Sequence, residues 1–294
     1  MDFLTMRELE KSTIEKILDN AKSINEGKKI DLSGRILGTL FFEPSTRTKL
    51  SFHSAAYRSK MNVVDFEADI SSMKKGESFH DTIKMLSCYS DVLAIRHSKE
   101  GAAREAAEIS ELPVINCGDG SNQHPTQAMI DLFSIKHFKG RIKGLNITLM
   151  GDLRHARAMK SLLQGLSMFG ANINMCAPEG LEFEEELITE ITKTYKIKLN
   201  STSKLDLSNT DILYVVRVQK ERFSDQSVAK AYEEKFRVDK KMLKGANENL
   251  VILHPLPRIS EIDPAIDNTT FAKYFDQARF AVPVRQAILE YLLR

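Results

Sequence analysis

The sequence predicts an α/β protein of two tandem domains, each a mainly parallel sheet flanked by helices, with a cleft between them. Three observations carry this. Short apolar runs alternate with segments of helical periodicity from Ile36 onward. At 294 residues the chain exceeds one domain of ordinary size and suffices for two cores. The alternation pauses at 139–146, a stretch holding Gly140, Gly144 and three cationic residues, and then restarts with a new strand. The expected domains are therefore 1–138 and 139–278, with the C-terminal stretch 279–294 crossing back to complete the first.

Residues 6–26 carry Leu9, Ile14, Ile17, Leu18 and Ile24 at helical spacing, with Gly27 as the stop. Residues 36–42 read as a buried strand that Pro44 ends. Ser45 or Thr46 caps the next helix, which carries Leu50, Ser54 and Tyr57 on one face. A strand (62–66), a polar loop (68–78), a helix (79–87), a strand (91–95), a helix (101–109), a strand (114–117), a turn (119–123) and a helix (126–137) complete the first domain. The second has expected strands at 147–150, 172–176, 197–199, 212–216 and 250–253, and helices at 155–169, 183–195, 227–236 and 239–244. A final amphipathic helix spans 283–293.

Composition narrows the partners. Lysine and arginine total 42 against 40 acidic residues, a net charge of +2, without the basic excess that duplex nucleic acid attracts. Cys88, Cys117 and Cys176 are odd in number and widely spaced, which suits small buried hydrophobes in a reducing cytoplasm better than a disulfide framework or zinc site. No segment reaches eighteen apolar residues and the N-terminus shows no secretory pattern, so a cytoplasmic protein without membrane partners is expected.

Ligands of open α/β sheets sit at the carboxyl ends of the strands. Those ends are polar here. After the first-domain strands come Ser45-Thr46-Arg47-Thr48, Arg96-His97 and Gln123-His124-Pro125-Thr126-Gln127. After the second-domain strands come Gly151 through Arg157, Arg217-Val218-Gln219 and His254-Pro255-Leu256-Pro257-Arg258. The turn 41–48, Phe-Phe-Glu-Pro-Ser-Thr-Arg-Thr, joins hydroxyls, an arginine and a helix N-terminus, the parts of a phosphate cradle. Its spacing also fits an ordinary capped helix with a surface arginine. Several arginines and two histidines together suit a polyanionic ligand, because an anion taken out of water needs paired donors. The nucleotide loops G-x-G-x-x-G and G-x-x-x-x-G-K-S/T are missing, as are G-x-S-x-G and metal-ligand histidine spacing.

Taken together, 41–48, Lys74-Lys75-Gly76-Glu77, Arg96-His97, 123–127, 152–157, 217–219 and 254–258 resemble, in order and spacing, the aspartate and ornithine carbamoyltransferases over almost the whole chain. Within that family His254-Pro255-Leu256-Pro257 and the Arg-Val-Gln of 217–219 are similar to the aspartate branch. The stretches 116–123 and 101–104 look more like those members whose trimers associate with separate regulatory chains.

The resemblance implies transfer of a carbamoyl group from carbamoyl phosphate to the amine of L-aspartate, the committed step of pyrimidine synthesis, without a metal or organic cofactor. It implies that Ser45, Thr46, Arg47 and Thr48 hold the phosphate, that Thr48, Arg96 and His124 surround the carbonyl oxygen, and that Gln127 with the carbonyls of Leu256 and Pro257 orients the carbamoyl nitrogen. Arg157 and Arg217 would clamp aspartate, with Gln219 supporting Arg217. Ser71 and Lys75 match residues that the family supplies from a neighbouring subunit, so a homotrimer is implied and a regulatory chain is left open. Domain closure would then bring the reactants together. Ala158, Val216 and Ala281 depart from the family's usual residues without removing a charged ligand. Glu43 is a candidate to pair with Arg222 across the cleft.

Overall fold

The computed structural model describes residues 1–68, 71–202, 205–219 and 236–294. They form two compact units, one of Met1–Phe133 with Phe280–Arg294, the other of Ser134–Arg279. In the first, β1 (Ile36–Phe41), β2 (Asn62–Glu67), β3 (Val92–His97) and β4 (Val114–Asp119) make a parallel sheet in the order β2-β1-β3-β4. Parallel neighbours need crossovers, and α2 (Thr46–Arg58), α3 (Phe79–Ser87) and α4 (Ala102–Ile109) supply them. Leu37, Leu40, Leu93, Ile95 and Val114 are fully buried, as expected of strands covered on both faces.

The second unit holds β5 (Asn146–Met150), β6 (Asn172–Cys176), β7 (Leu199–Ser201), β8 (Ile212–Val215) and β9 (Val251–Leu253), parallel and ordered β7-β6-β5-β8-β9. Among the described residues its helices are α6 (Arg157–Met168), α7 (Glu185–Tyr195) and α8 (Tyr274–Arg279). The unit boundary falls inside α5 (Pro125–Lys139). The last helix, α9 (Ala281–Leu293), packs in the first unit against α2 and against α1 (Lys11–Asn25). Each sheet starts near its centre, runs outward one way and then the other. The order reverses between β1 and β3 in one sheet and between β5 and β8 in the other, the switch points where such sheets bind ligands.

Several expectations need correction. The first helix starts at Lys11, not near Met6. Phe3 bridges to β4, with Phe3 N bonded to Val114 O and Asn116 N to Phe3 O, and this pulls the terminus onto the sheet before a separate 3-10 turn, Met6–Glu8. Strand β7 lies two residues later than expected, because Lys196 ends α7 in the left-handed region. Residues 239–244 form turns rather than a helix; the Asp239 carboxylate accepts from the N–H groups of Lys241 and Met242, competing with helical bonding. Helix α8 had no expectation, and the expected helix at 227–236 lies, but for Phe236, outside the described residues. On α2 the buried residues are Thr48, Phe52, Ala55 and Ala56, so the face of Leu50 and Tyr57 is exposed. Cys88 is exposed, while Cys117 and Cys176 are buried. Among the described residues no helix is long and apolar enough to cross a membrane.

Candidate active site

At the first switch point the sheet register sets Phe41 beside Arg96. The chain leaving β1 is tied to β3 by Phe42 N donating to Arg96 O at 2.9 Å. The turn then enters α2 with Ser45 extended at the N-cap, but the Ser45 hydroxyl makes no bond into the helix. The first-turn N–H groups lie at the end of the helix where its dipole favours an anion, with Ser45 and Thr46 at the same end. Thr48 is buried and Arg47 exposed. Arg96 Nε lies 2.7 Å from Glu43 Oε1, both side chains largely buried. The expected partner Arg222 lies outside the described residues.

His97, next to Arg96, is held by packing and one hydrogen bond. Its ring packs at 4.9 Å on Phe42 and 5.5 Å on Phe79, Nδ1 accepts from Lys99 N, and burial lowers its pKa. It props the turn from behind.

Strand β4 ends in Asp119, an organising residue that sequence reasoning missed. Its carboxylate accepts from Asn116 Nδ2 at 2.8 Å, Gly101 N at 2.9 Å, Asn122 Nδ2 at 2.9 Å and Gln123 N at 3.1 Å. That buried hub shapes the turn delivering His124 and Gln127 to the start of α5. The available signal was an acidic residue between two glycines, Gly118 and Gly120, both at positive φ. His124 is buried with Nδ1 3.4 Å from Thr126 Oγ1, and Gln127 Nε2 donates to Asp131 at 2.8 Å. Beyond β2, Ser71 caps the 3-10 turn Ser72–Lys75, accepting from Met73 N, and Lys75 is exposed at its end.

The second unit repeats the design. Val216 N bonds to Met150 O, and the loops after β5 and β8 leave side by side. Asp152, fully buried, joins them: it accepts from His155 N at 3.0 Å and from Gln219 N at 3.2 Å. Arg157 opens α6, and Arg217 Nη1 reaches Val218 O at 3.3 Å. The loop after β9 holds Leu256 at φ 58°, followed by a cis peptide to Pro257. It is pinned by His254, whose Nε2 lies 2.7 Å from Glu261 Oε1 and whose N–H donates to Gln277 at 2.8 Å. Arg258 closes a fork on Asp267 beneath Tyr274 and Phe275.

Apart from Ser71 and Lys75 on the turn beyond β2, the expected residues fall into two sets. Ser45, Thr46, Arg47, Thr48, Arg96, His124 and Gln127 gather at the ends of β1, β3 and β4. Arg157, Arg217, Gln219, Leu256 and Pro257 gather at the ends of β5, β8 and β9.

Comparison with known proteins matches this division. Residues 1–137 match the family model for the aspartate/ornithine carbamoyltransferase carbamoyl-P binding domain, and residues 143–292 match that for the Asp/Orn binding domain. The aspartate carbamoyltransferase catalytic subunit of Methanococcus maripaludis is 46% identical over 98% of this chain and 97% of its own length. That of Archaeoglobus fulgidus is 42% identical over 99% and 98%. The solved catalytic subunit of M. jannaschii aspartate transcarbamoylase superposes with a TM-score of 0.91 at 40% identity, covering 99% of this chain and 97% of that one. The Trypanosoma cruzi aspartate transcarbamoylase in complex with N-(phosphonacetyl)-L-aspartic acid gives 0.94 at 32% identity, over 100% and 96%. With both halves matched in order and relatives alike along nearly their full length, the chain belongs to the aspartate/ornithine carbamoyltransferase family.

Proposed function

We infer that the chain transfers the carbamoyl group of carbamoyl phosphate to the amine of L-aspartate, giving N-carbamoyl-L-aspartate and phosphate. The observation that carries this is the pair of switch-point sites, one with a hydroxyl-lined helix N-terminus beside Arg96 and His124, the other with Arg157 and Arg217 at adjacent strand ends. Relatives from T. cruzi bound to carbamoyl phosphate, and to carbamoyl phosphate with aspartate, support the same substrates.

In this reading the unit of Met1–Phe133 binds carbamoyl phosphate and that of Ser134–Arg279 binds aspartate. Ser45, Thr46, Arg47 and Thr48 hold the phosphate, and Arg47 offsets the charge that grows on it as it leaves. Thr48, Arg96 and His124 donate to the carbonyl oxygen, and those bonds strengthen as the tetrahedral oxyanion forms. Gln127 and the carbonyls of Leu256 and Pro257 orient the nitrogens. Arg157 and Arg217 grip the two carboxylates of aspartate by forked contacts, with Gln219 behind Arg217. The departing phosphate takes the amine proton. Ser71 and Lys75, on the turn beyond β2, serve the site of a neighbouring copy, so the working form is a homotrimer in the cytoplasm, acting in pyrimidine synthesis.

Purified protein supplied with carbamoyl phosphate and aspartate should release phosphate and accumulate carbamoyl-aspartate, and ornithine in place of aspartate should give neither. Turnover with ornithine alone would reassign the acceptor. Phosphate binding without turnover on any amine would reassign the chain as a ligand-binding relative.

A further inference from the structure

Helix α9 is apolar but for a few positions, and one of them, Arg285, is 1% exposed. Its guanidinium carbon stands 4.7 Å over the Phe52 ring, and Nη1 donates to Ser51 Oγ. Its Nε has no hydrogen-bond partner, and among the described residues no carboxylate pairs with it. Burial pulls its pKa down to about 10, with the Arg96 charge acting in the same direction, and it remains a cation at neutral pH. A buried charge without a counter-ion is costly, and such local conflicts concentrate at functional sites.

The Ser51 hydroxyl that receives Arg285 faces the start of α2. It lies 2.5 Å from Arg47 O and 3.1 Å from Thr48 O, carbonyls of the helix's first turn. The Arg47 carbonyl shares a peptide unit with Thr48 N–H, and the Thr48 carbonyl with Lys49 N–H. A hydrogen bond that draws electron density from the oxygen makes the N–H of the same peptide a stronger donor. Thr48 N–H is one of the first-turn donors that have no partner within the helix, which runs from Thr46 with Ser45 at its N-cap.

We propose that Arg285 is a positioning residue for phosphate binding: through Ser51 it fixes and polarises the first turn of α2, and its buried charge adds to the positive potential of the cradle at 45–48. This rests on the reading of 45–48 as the phosphate site. The missing counter-ion is then the bound phosphate itself, reached through one hydroxyl and a peptide unit.

The test is calorimetric titration of the full-length protein with inorganic phosphate. Arg285→Met, close in shape but uncharged, should weaken phosphate binding at least tenfold while leaving the thermal midpoint unchanged or higher, because an unpaired buried charge has been removed. Arg285→Lys should recover most of the affinity. Ser51→Ala should weaken phosphate several-fold, and the double variant Ser51→Ala with Arg285→Met should bind no more weakly than Arg285→Met alone, the signature of one shared path. Phosphate affinity within twofold of the parent in Arg285→Met would overturn the proposal, as would a fall in thermal midpoint with affinity unchanged, which marks a packing role. If Arg285→Met does not fold, Ser51→Ala decides, and parental affinity there overturns the relay. Because the readout is phosphate affinity rather than turnover, failure of the carbamoyl-transfer reading is seen separately in the product assay.

Discussion

Glu43 and Arg96 meet at 2.7 Å across the ends of β1 and β3, just past Phe41, which the register sets beside Arg96. The pair is 19% and 16% exposed, so the carboxylate holds the guanidinium in a partly desolvated setting where a lost partner is felt. Glu43→Gln keeps the shape and removes the charge. It should lower kcat/KM for carbamoyl phosphate about tenfold, near 1.4 kcal/mol of barrier, with aspartate KM little changed. Parental steady-state kinetics would show that Arg96 is oriented by other contacts.

Arg47 and Arg217 separate the two substrates. Arg47→Ala should reduce kcat on the order of a hundredfold, the usual cost of losing one donor to developing charge. Arg217→Ala should raise aspartate KM and leave inorganic phosphate binding intact. Equal effects of both on phosphate affinity would contradict the division of roles.

Gly151 sits at φ 117° with its α-carbon pressed against the end of β8: an added Cβ would stand 2.1 Å from Val216 O. Gly151→Ala must push the strand end that leads to Arg217. Destabilisation on the order of 3 kcal/mol is expected in urea unfolding, accompanied by a rise in aspartate KM. A variant as stable as the parent would mean that the β5 and β8 ends yield easily.

Glu261 titrates in two opposing environments. Burial works to raise its pKa, but the bond and charge of His254 and the bonds from the N–H groups of Glu261 itself and Ile259 outweigh it, and the net shift is downward from 4.5. A carboxylate whose folded pKa lies below its unfolded value contributes stability that is full above the unfolded pKa and is lost as pH falls through the folded one. Glu261→Gln should therefore flatten the acid limb of thermal stability below pH 4.5. Melting curves at descending pH, parallel in parent and variant, would remove Glu261 from that role.

The three thiols should differ in kind. Burial pushes the Cys117 thiol up to about 12 and raises that of Cys176, whereas Cys88 is exposed at the C-terminal end of α3. Native protein should take up about one equivalent of a thiol reagent promptly and three after denaturation, since thiolate character and access set that order. Retention of the fast phase in Cys88→Ser would refute it.

The fold class and most strand positions were legible because apolar periodicity is a local property, written into stretches of five to fifteen residues. The polar strand ends were legible for the same reason, since a strand that stops at Pro44 or Gly151 marks the loop beyond it by residue type. Boundaries failed where a distant segment intervened, as Phe3 pairing with β4 does, or where a nearby side chain such as Asp239 captured backbone N–H groups. Residues that chemistry does not single out by type were missed, because their meaning lies in what they touch. Asp119 is one acidic residue among many until four donors converge on it. Arg285 is only a charge in an apolar helix until folding brings it to Ser51, 234 positions away in the chain. The sequence alone thus determined two parallel-sheet domains and the side chains at their strand ends. Only the tertiary structure decided how those side chains are held, since holds such as Glu43 on Arg96, Asp152 on Gln219 N and Arg285 on Ser51 join segments that no local pattern links.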